Sequence, residues 1–163
     1  AISNKERGLL LTTGNKSEIA VGYCTLYGDM CGAFSVLKDV FKSQVYELAK
    51  YINKKSNLEK QHNLIPENIL KKKPSAELKF NQTDQDSLPS YDILDDILER
   101  YIEKKQTGIE IINSGYSKEV VSDVLQLLKD AEFKRKQSAP GIRVSNRAFG
   151  RDWRFPITNN YFF

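Results

Sequence analysis

Gly8-Leu-Leu-Leu-Thr-Thr-Gly14 is the one stretch of this chain that reads as a β-strand, and a lone strand cannot make a sheet. The run is short, continuously apolar and bounded by glycine, the pattern of a buried, parallel strand. At least four helical segments surround it. Asn15-Lys-Ser-Glu18 opens the first, with Ile19, Ala20, Tyr23 and Cys24 at helical spacing and Gly28 as its stop. The second runs from about Lys42 to Lys54 and turns Val45, Leu48, Ala49 and Ile52 to one face. Residues 53–63, rich in Asn, Lys and Gln, read as loop, and Ile65 to Leu70 as a short helical turn with Pro66 near its start. Ser90 and Ser117 are placed to cap two strongly amphipathic helices. The first carries Ile93, Leu94, Ile97, Leu98, Tyr101 and Ile102 on one face; the second carries Val120, Val121, Val124, Leu127, Leu128 and Ala131. Ser138-Ala-Pro-Gly141 ends the helical structure. Either the chain is nearly all-helical, or the strands that partner Gly8–Gly14 lie in sequence outside it.

With 163 residues there is room for one domain or part of a larger one, and a composition 40% hydrophobic and 28% charged excludes general disorder. No apolar run approaches the roughly 18 residues of a membrane span. The start lacks the basic-then-apolar order of a signal peptide. Cys24 and Cys31 are too few for a disulfide scaffold, so a cytoplasmic, reducing setting is expected. The only histidine, His62, is read as a loop residue and excludes any site needing two histidines. Charge is uneven. From Lys134 onward there are seven basic residues and one acid, a net +6, against −2 for residues 1–133. Five of the seven arginines lie between 135 and 154. Arginine is favoured where a planar fork grips a carboxylate or phosphate, although a basic surface tail would look the same.

Two polar stretches could carry chemistry. The strand leads through Thr13-Gly-Asn15 into a helix that holds Glu18. Open α/β sheets bind ligands at the carboxyl ends of their strands, and a carboxylate one turn into the helix can hold a magnesium ion already bridging phosphates. The plainer alternative is that Asn15 or Ser17 caps the helix and Glu18 complements its dipole. The second stretch, Lys73-Pro-Ser-Ala-Glu77 running into Asn81-Gln-Thr-Asp-Gln-Asp-Ser87, reads as a long ordered loop. It does not make a calcium loop, because Leu88 falls where a ligand is needed and no glycine follows.

Several of these motifs, in this order, resemble NAD synthetases: Thr12-Thr-Gly-Asn-Lys-Ser-Glu18, Tyr27-Gly-Asp-Met30, Lys38-Asp-Val40, Lys73-Pro-Ser-Ala-Glu-Leu78, Asn81-Gln-Thr-Asp-Gln-Asp-Ser-Leu-Pro89 and Arg147-Ala-Phe-Gly-Arg-Asp152. Lys134-Arg-Lys-Gln137 and the Arg147–Asp152 tail are similar to the glutamine-dependent branch. The resemblance implies a Rossmann-like, doubly wound ATP-pyrophosphatase α/β fold, of which this chain is the C-terminal part, mostly helical with one or two strands. The family's Ser-Gly-Gly-x-Asp-Ser loop is not in these residues. The implied division is 1–137, the C-terminal part of the synthetase domain, and 138–163, a basic tail packing on the same domain or a neighbouring subunit. The implied activity is an ATP-dependent ligase that adenylylates deamido-NAD and then amidates it, with ammonia drawn from glutamine, to NAD, AMP and pyrophosphate. ATP and Mg2+ are the implied cofactors. Thr13, Lys42 and Ser75 would face ATP; Glu18, Asp29 and Lys134 would lie on the deamido-NAD side, with Glu18 also the metal ligand. No residue of the chain is expected to act as acid, base or nucleophile. Leu26 and Ala33 depart from the ammonia-dependent pattern, which has lysine and aspartate there. Expected partners are deamido-NAD, ATP and glutamine or ammonia, in a homo-oligomer, with no nucleic acid and no membrane. The alternatives are an ammonia-dependent NAD synthetase and a nucleic-acid-binding module using the arginine-rich tail. The chain alone is expected to be inactive.

Overall fold

Two short strands, β1 (Leu11–Thr12) and β2 (Phe34–Ser35), pair in parallel with Leu11 opposite Phe34 and Thr12 opposite Ser35. A parallel pair needs a crossover, and the helix α2 (Lys16–Val21) lies in it. The computed structural model describes residues 2–58, 62–72, 74–75 and 83–158. Its other helices are α1 (Ile2–Glu6), α3 (Lys42–Leu58), α4 (Glu67–Lys71), α5 (Tyr91–Leu98), α6 (Gly108–Asn113), α7 (Lys118–Asp130) and α8 (Glu132–Arg135). A 3-10 turn spans Asp84–Asp86, and α5 continues into a wide π turn over Glu99–Glu103. The outcome is the expected α/β fragment, mostly helical with two parallel strands.

The core lies where periodicity put it in α5 and α7, but the expected apolar face of α3 does not join it: of Val45, Leu48, Ala49 and Ile52 only Ala49 is buried, and Leu48 is 47% exposed. Leu94, Ile97, Leu98 and Ile102 from α5 and its π turn meet Ile111 of α6 and Val121, Val124 and Leu128 of α7, and none of them is more than 1% exposed. Full burial of one such side chain stabilises by about 1.5–3 kcal/mol, which makes this helical cluster the main support of the fold. Ile19, Ala20 and Val21 close it from α2, Phe41 from the start of α3, and Phe149 from the tail.

Several expectations are corrected. The helix opened by Asn15 ends at Gly22, not Gly28. Gly22 takes φ +73°, and a Cβ there would lie 2.9 Å from the Ala131 Cβ, so glycine serves both the turn and the contact with α7. Helix α3 runs on to Leu58, through residues read as loop, because Asn53 and Ser56 turn inward and bond the backbone of Ile65 and His62. The strand run is not buried as a whole. Thr12 is, but Leu9, Leu10 and Leu11 are 65%, 51% and 51% exposed, and no element among the described residues covers them. Ser90 and Ser117 stand at the starts of α5 and α7, yet neither side chain makes a capping hydrogen bond. Ile93 faces solvent, while Leu125, absent from the expected face of α7, is buried. Cys24 is buried and Cys31 exposed. Residues 76–82 of the polar loop, and Lys73, lie outside the described residues.

Residues beyond the last helix return along the sheet edge. The Ser35 N–H donates to the Pro140 carbonyl at 2.8 Å, and Ser35 bridges Gly141 in parallel. A Cβ on Gly141 would stand 2.6 Å from the Ser35 carbonyl oxygen, so this approach requires glycine.

Candidate functional site

Asn15 caps α2 by accepting the Glu18 N–H at 3.0 Å, and a Glu18 carboxylate oxygen accepts the Asn15 N–H at 3.1 Å, closing a capping box. The plainer reading of these residues is therefore realised, but it uses only half of the glutamate. The other oxygen, Oε1, receives the Lys42 ammonium at 2.8 Å, with both side chains about one-fifth exposed. Lys42 is the first residue of α3, and its position is set from beneath. Its N–H donates to Ser17 Oγ at 2.8 Å, Ser17 Oγ donates to Asp95, and Asp95 accepts the Ser43 N–H at 2.8 Å. Burial pushes the Asp95 carboxyl up, and the hydrogen bonds from Ser17 and Ser43 offset only part of that. One aspartate on α5 thus holds the starts of α2 and α3 together, and with them Glu18 and Lys42. The Lys42 ammonium also lies 5.5 Å from the centroid of the Tyr91 ring.

A second group gathers on the loop after α2. Lys134 donates to the carbonyls of Gly22 and Cys24 at 2.7 and 2.8 Å, as a cation at a helix C-terminus should. Asp29 accepts the Thr25 N–H at 2.6 Å and folds the loop on itself. Tyr27, at φ +60° and 89% exposed, forms the tip. Between these lies Cys24, whose thiol is pushed up to about 11, first by burial; Lys134 opposes the shift, and Asp29 and Glu18 add to it. Glu18, Asp29 and Lys134 therefore bear on one point, and Glu18 joins this group to Lys42. Thr13 is exposed at the end of β1. Ser75 is half-buried, beside a Pro74 carbonyl that accepts the Asp84 N–H at 3.0 Å.

Sequence reasoning missed the buried ionic centre behind the site. Lys16, 0% exposed, meets Asp39 at 2.9 Å, Glu103 at 2.8 Å, Ser145 Oγ at 2.7 Å and the Arg147 carbonyl at 3.0 Å. Burial raises the Asp39 carboxyl, but the bonds from Ser145, Lys16 and the Val144 N–H outweigh it and hold it below its ordinary range. No periodicity marks such a lysine; its partners lie 23 to 131 residues away, a distance that local pattern cannot span. Two of the tail arginines serve the fold. Arg135, 4% exposed, pairs with Glu132 and donates to the Ala20 carbonyl, and Arg147 donates to the Ile102 carbonyl. Lys38, Lys136, Arg143, Arg151 and Arg154 line a basic cavity of about 690 Å3 between β2 and the tail.

Among the described residues no three His, Cys, Asp or Glu side chains cluster as metal ligands. A single carboxylate, one-fifth exposed, fits a magnesium ion that arrives on phosphates and keeps its waters, not a resident ion held by protein alone.

A sequence model of the family described as NAD synthase matches residues 1–138. The chain belongs to the NAD synthase family. It is 56% identical over 160 residues to a glutamine-dependent NAD(+) synthetase of Acinetobacter baylyi, covering 98% of this chain and 29% of that protein. It is 53% identical over 161 residues to the protein of the same name in Xanthomonas campestris pv. campestris, covering 99% of this chain and 28% of that protein. A solved glutamine-dependent NAD(+) synthetase from Cytophaga hutchinsonii, 24% identical, superposes over 98% of the chain with a TM-score of 0.75 and shares its fold. The family match ends at Ser138, while both curated relatives match across the basic tail as well. This NAD synthase chain spans under a third of the relatives it matches. No helix among the described residues is long and apolar enough to cross a membrane.

Proposed function

We propose that this chain is the C-terminal part of the synthetase domain of a glutamine-dependent NAD synthetase, a cytoplasmic homo-oligomer. Residues 1–137 form that part of the domain, and 138–163 a basic tail that packs on the same domain or on a neighbouring subunit. In the reaction, the nicotinate carboxylate of deamido-NAD attacks the α-phosphorus of ATP and pyrophosphate leaves. Ammonia released from glutamine then attacks the acyl adenylate, AMP leaves, and the amide of NAD remains. Charge gathers on phosphates at both stages, so the chain's part is positioning and electrostatics. Thr13, Lys42 and Ser75 face ATP. Glu18, Asp29 and Lys134 lie on the deamido-NAD side. Glu18 is the residue that would hold magnesium, whose charge would offset that of the phosphates.

The observation that carries this reading is the Glu18–Lys42 pair. Residues 24 apart in sequence meet at 2.8 Å where solvent still reaches both, in a chain whose relatives bear this name along its whole length. A lysine and a carboxylate held together and left open can separate again, the lysine to phosphate and the carboxylate to a hydrated cation. The test uses the full-length protein with ATP, magnesium, deamido-NAD and glutamine. The expected result is formation of NAD, AMP and pyrophosphate in equal amounts. Pyrophosphate release that does not depend on deamido-NAD would overturn the assignment.

A further inference from the structure

We propose that Tyr91 is a positioning residue, which fixes the Pro74–Ser75 segment relative to Lys42 by way of Asp84. This rests on the reading of Lys42 and Ser75 as nucleotide contacts. One face of the Tyr91 ring lies under the Lys42 ammonium, 5.5 Å from centroid to nitrogen. The hydroxyl of the same ring donates to Asp84 Oδ2 at 2.6 Å. The Asp84 N–H in turn donates to the Pro74 carbonyl at 3.0 Å, one residue from Ser75. The turn around Asp84 is knit from both sides. The Ser87 and Leu88 N–H groups return to the Asp84 carbonyl at 3.2 and 3.0 Å, and Asp86 closes onto the Thr83 N–H at 2.8 Å. A phenol is rigid between its face and its oxygen, so the lysine and the turn are spaced by covalent geometry.

The energetics favour a role beyond packing. Asp84 is 4% exposed, and its second carboxylate oxygen, Oδ1, is buried without a hydrogen-bond partner among the described residues. A buried carboxylate served by one phenol is a costly arrangement, and an apolar pair would pack the same space more stably. Burial, then the bond to Asp84, pushes the Tyr91 hydroxyl far above its ordinary range, so it stays a donor at every working pH. Glu18 and Asp95 add to that shift, which sets Tyr91 among the carboxylates of the site. Local rules broken at a functional site are the places where natural sequences give up stability.

The test is a double-mutant cycle in the full-length protein, with the KM for ATP as the readout. Tyr91→Phe keeps the ring under Lys42 and removes only the hydroxyl. It should raise that KM about tenfold and leave kcat within about threefold, as loss of ground-state positioning does. Ser75→Ala should raise the KM too, and the double variant should be no worse than the more affected single one. Multiplied effects, or an unchanged KM in Tyr91→Phe, would overturn the positioning role. Asp84→Asn, whose amide oxygen still accepts from the phenol, should retain most of the affinity that Asp84→Ala loses; equal loss in both would also overturn it. Hydrogen exchange without nucleotide should quicken at residues 83–88 in Tyr91→Phe and stay unchanged at Val124 and Leu128, which separates a freed turn from a damaged fold. If Ser75→Ala and Lys42→Met leave the KM alone, the nucleotide reading itself fails and takes this proposal with it. If they raise it and Tyr91→Phe does not, only the positioning role falls.

Discussion

Lys16 and Lys42 each meet a carboxylate at 2.8–2.9 Å, near opposite sides of one short helix, and they have opposite uses. Lys16 is 0% exposed and saturated by two carboxylates, a hydroxyl and a carbonyl. Lys42 is about one-fifth exposed, and among the described residues Glu18 is its one carboxylate partner. Both pairs are equally close, so distance does not separate structure from function here. What separates them is whether the ammonium has anything left to give. A sealed ion pair has no alternative partner and is a fixture; an open one is poised to exchange partners.

The largest effect expected from breaking that contrast is on Lys16. Lys16→Met would leave the buried Asp39 and the partly buried Glu103 without their cation, at a cost of about 3–5 kcal/mol. Native-state hydrogen exchange at Val124 and Leu128 in the full-length protein measures it. Lys42→Met should cost less than about 1 kcal/mol by the same measure, because solvent screens its pair. Similar losses in both would erase the distinction.

Glu18→Gln sharpens the open side. The amide keeps the cap on α2 but lacks the charge for a cation, and losing one such transition-state contact costs roughly 3–4 kcal/mol. Pyrophosphate release at saturating magnesium should fall about a hundredfold or more. A fall below about tenfold would leave Glu18 as a helix-start residue only.

Gly32→Ala attacks the frame common to both lysines. A Cβ at Gly32 would lie 2.5 Å from Thr12 Cγ2 and 3.1 Å from the Leu10 carbonyl oxygen, wedging β1 from β2. Overpacking of this kind costs about 1–3 kcal/mol, and exchange of the Ala33 amide, which donates to Leu10, should report it first.

The smallest effect separates the two sides by pH. The folded Asp39 carboxyl sits below its ordinary 3.8, so its contribution is present above that value and is lost as pH falls through the lower, folded one. Asp95, raised in the folded state, runs the other way: its charge costs stability at neutral pH, and that cost fades as pH falls through the raised value. Carboxyl chemical shifts followed from pH 6 downward should show Asp95 taking its proton before Asp39. The reverse order would mean that the sealed and open sides have been misjudged.

The helical body was legible because α5 and α7 are long enough for the 3.6-residue period to show, and their inward faces came out nearly as read. Helix α6 was not anticipated. Thr107 and Glu110 form its capping box, but a six-residue helix gives periodicity nothing to repeat. The end of α2 was placed six residues late, because Tyr23 and Cys24 continue a helical spacing that Gly22 has already broken. Of the site, Glu18 and Lys42 were named from motifs, but their meeting was not; nothing local couples positions 24 apart. Lys16 was invisible for a stronger reason. A lysine between Asn15 and Ser17 looks like surface, and only tertiary structure supplies the carboxylates that let it be buried.

The Lys16 centre also has a timetable. Its last two ligands, Ser145 and Arg147, follow it by 129 and 131 residues. At ribosomal rates of about 5–20 residues per second, the ammonium waits on the order of ten seconds for them after its own synthesis. Through that interval α2 can nucleate on its capping box but cannot close, because sealing it would strand a cation half served. The segment from Ser145 to Arg147 is then the latch that completes this centre, and a nascent chain stalled before residue 145 should be a target for chaperones, however well α5 and α7 have already packed.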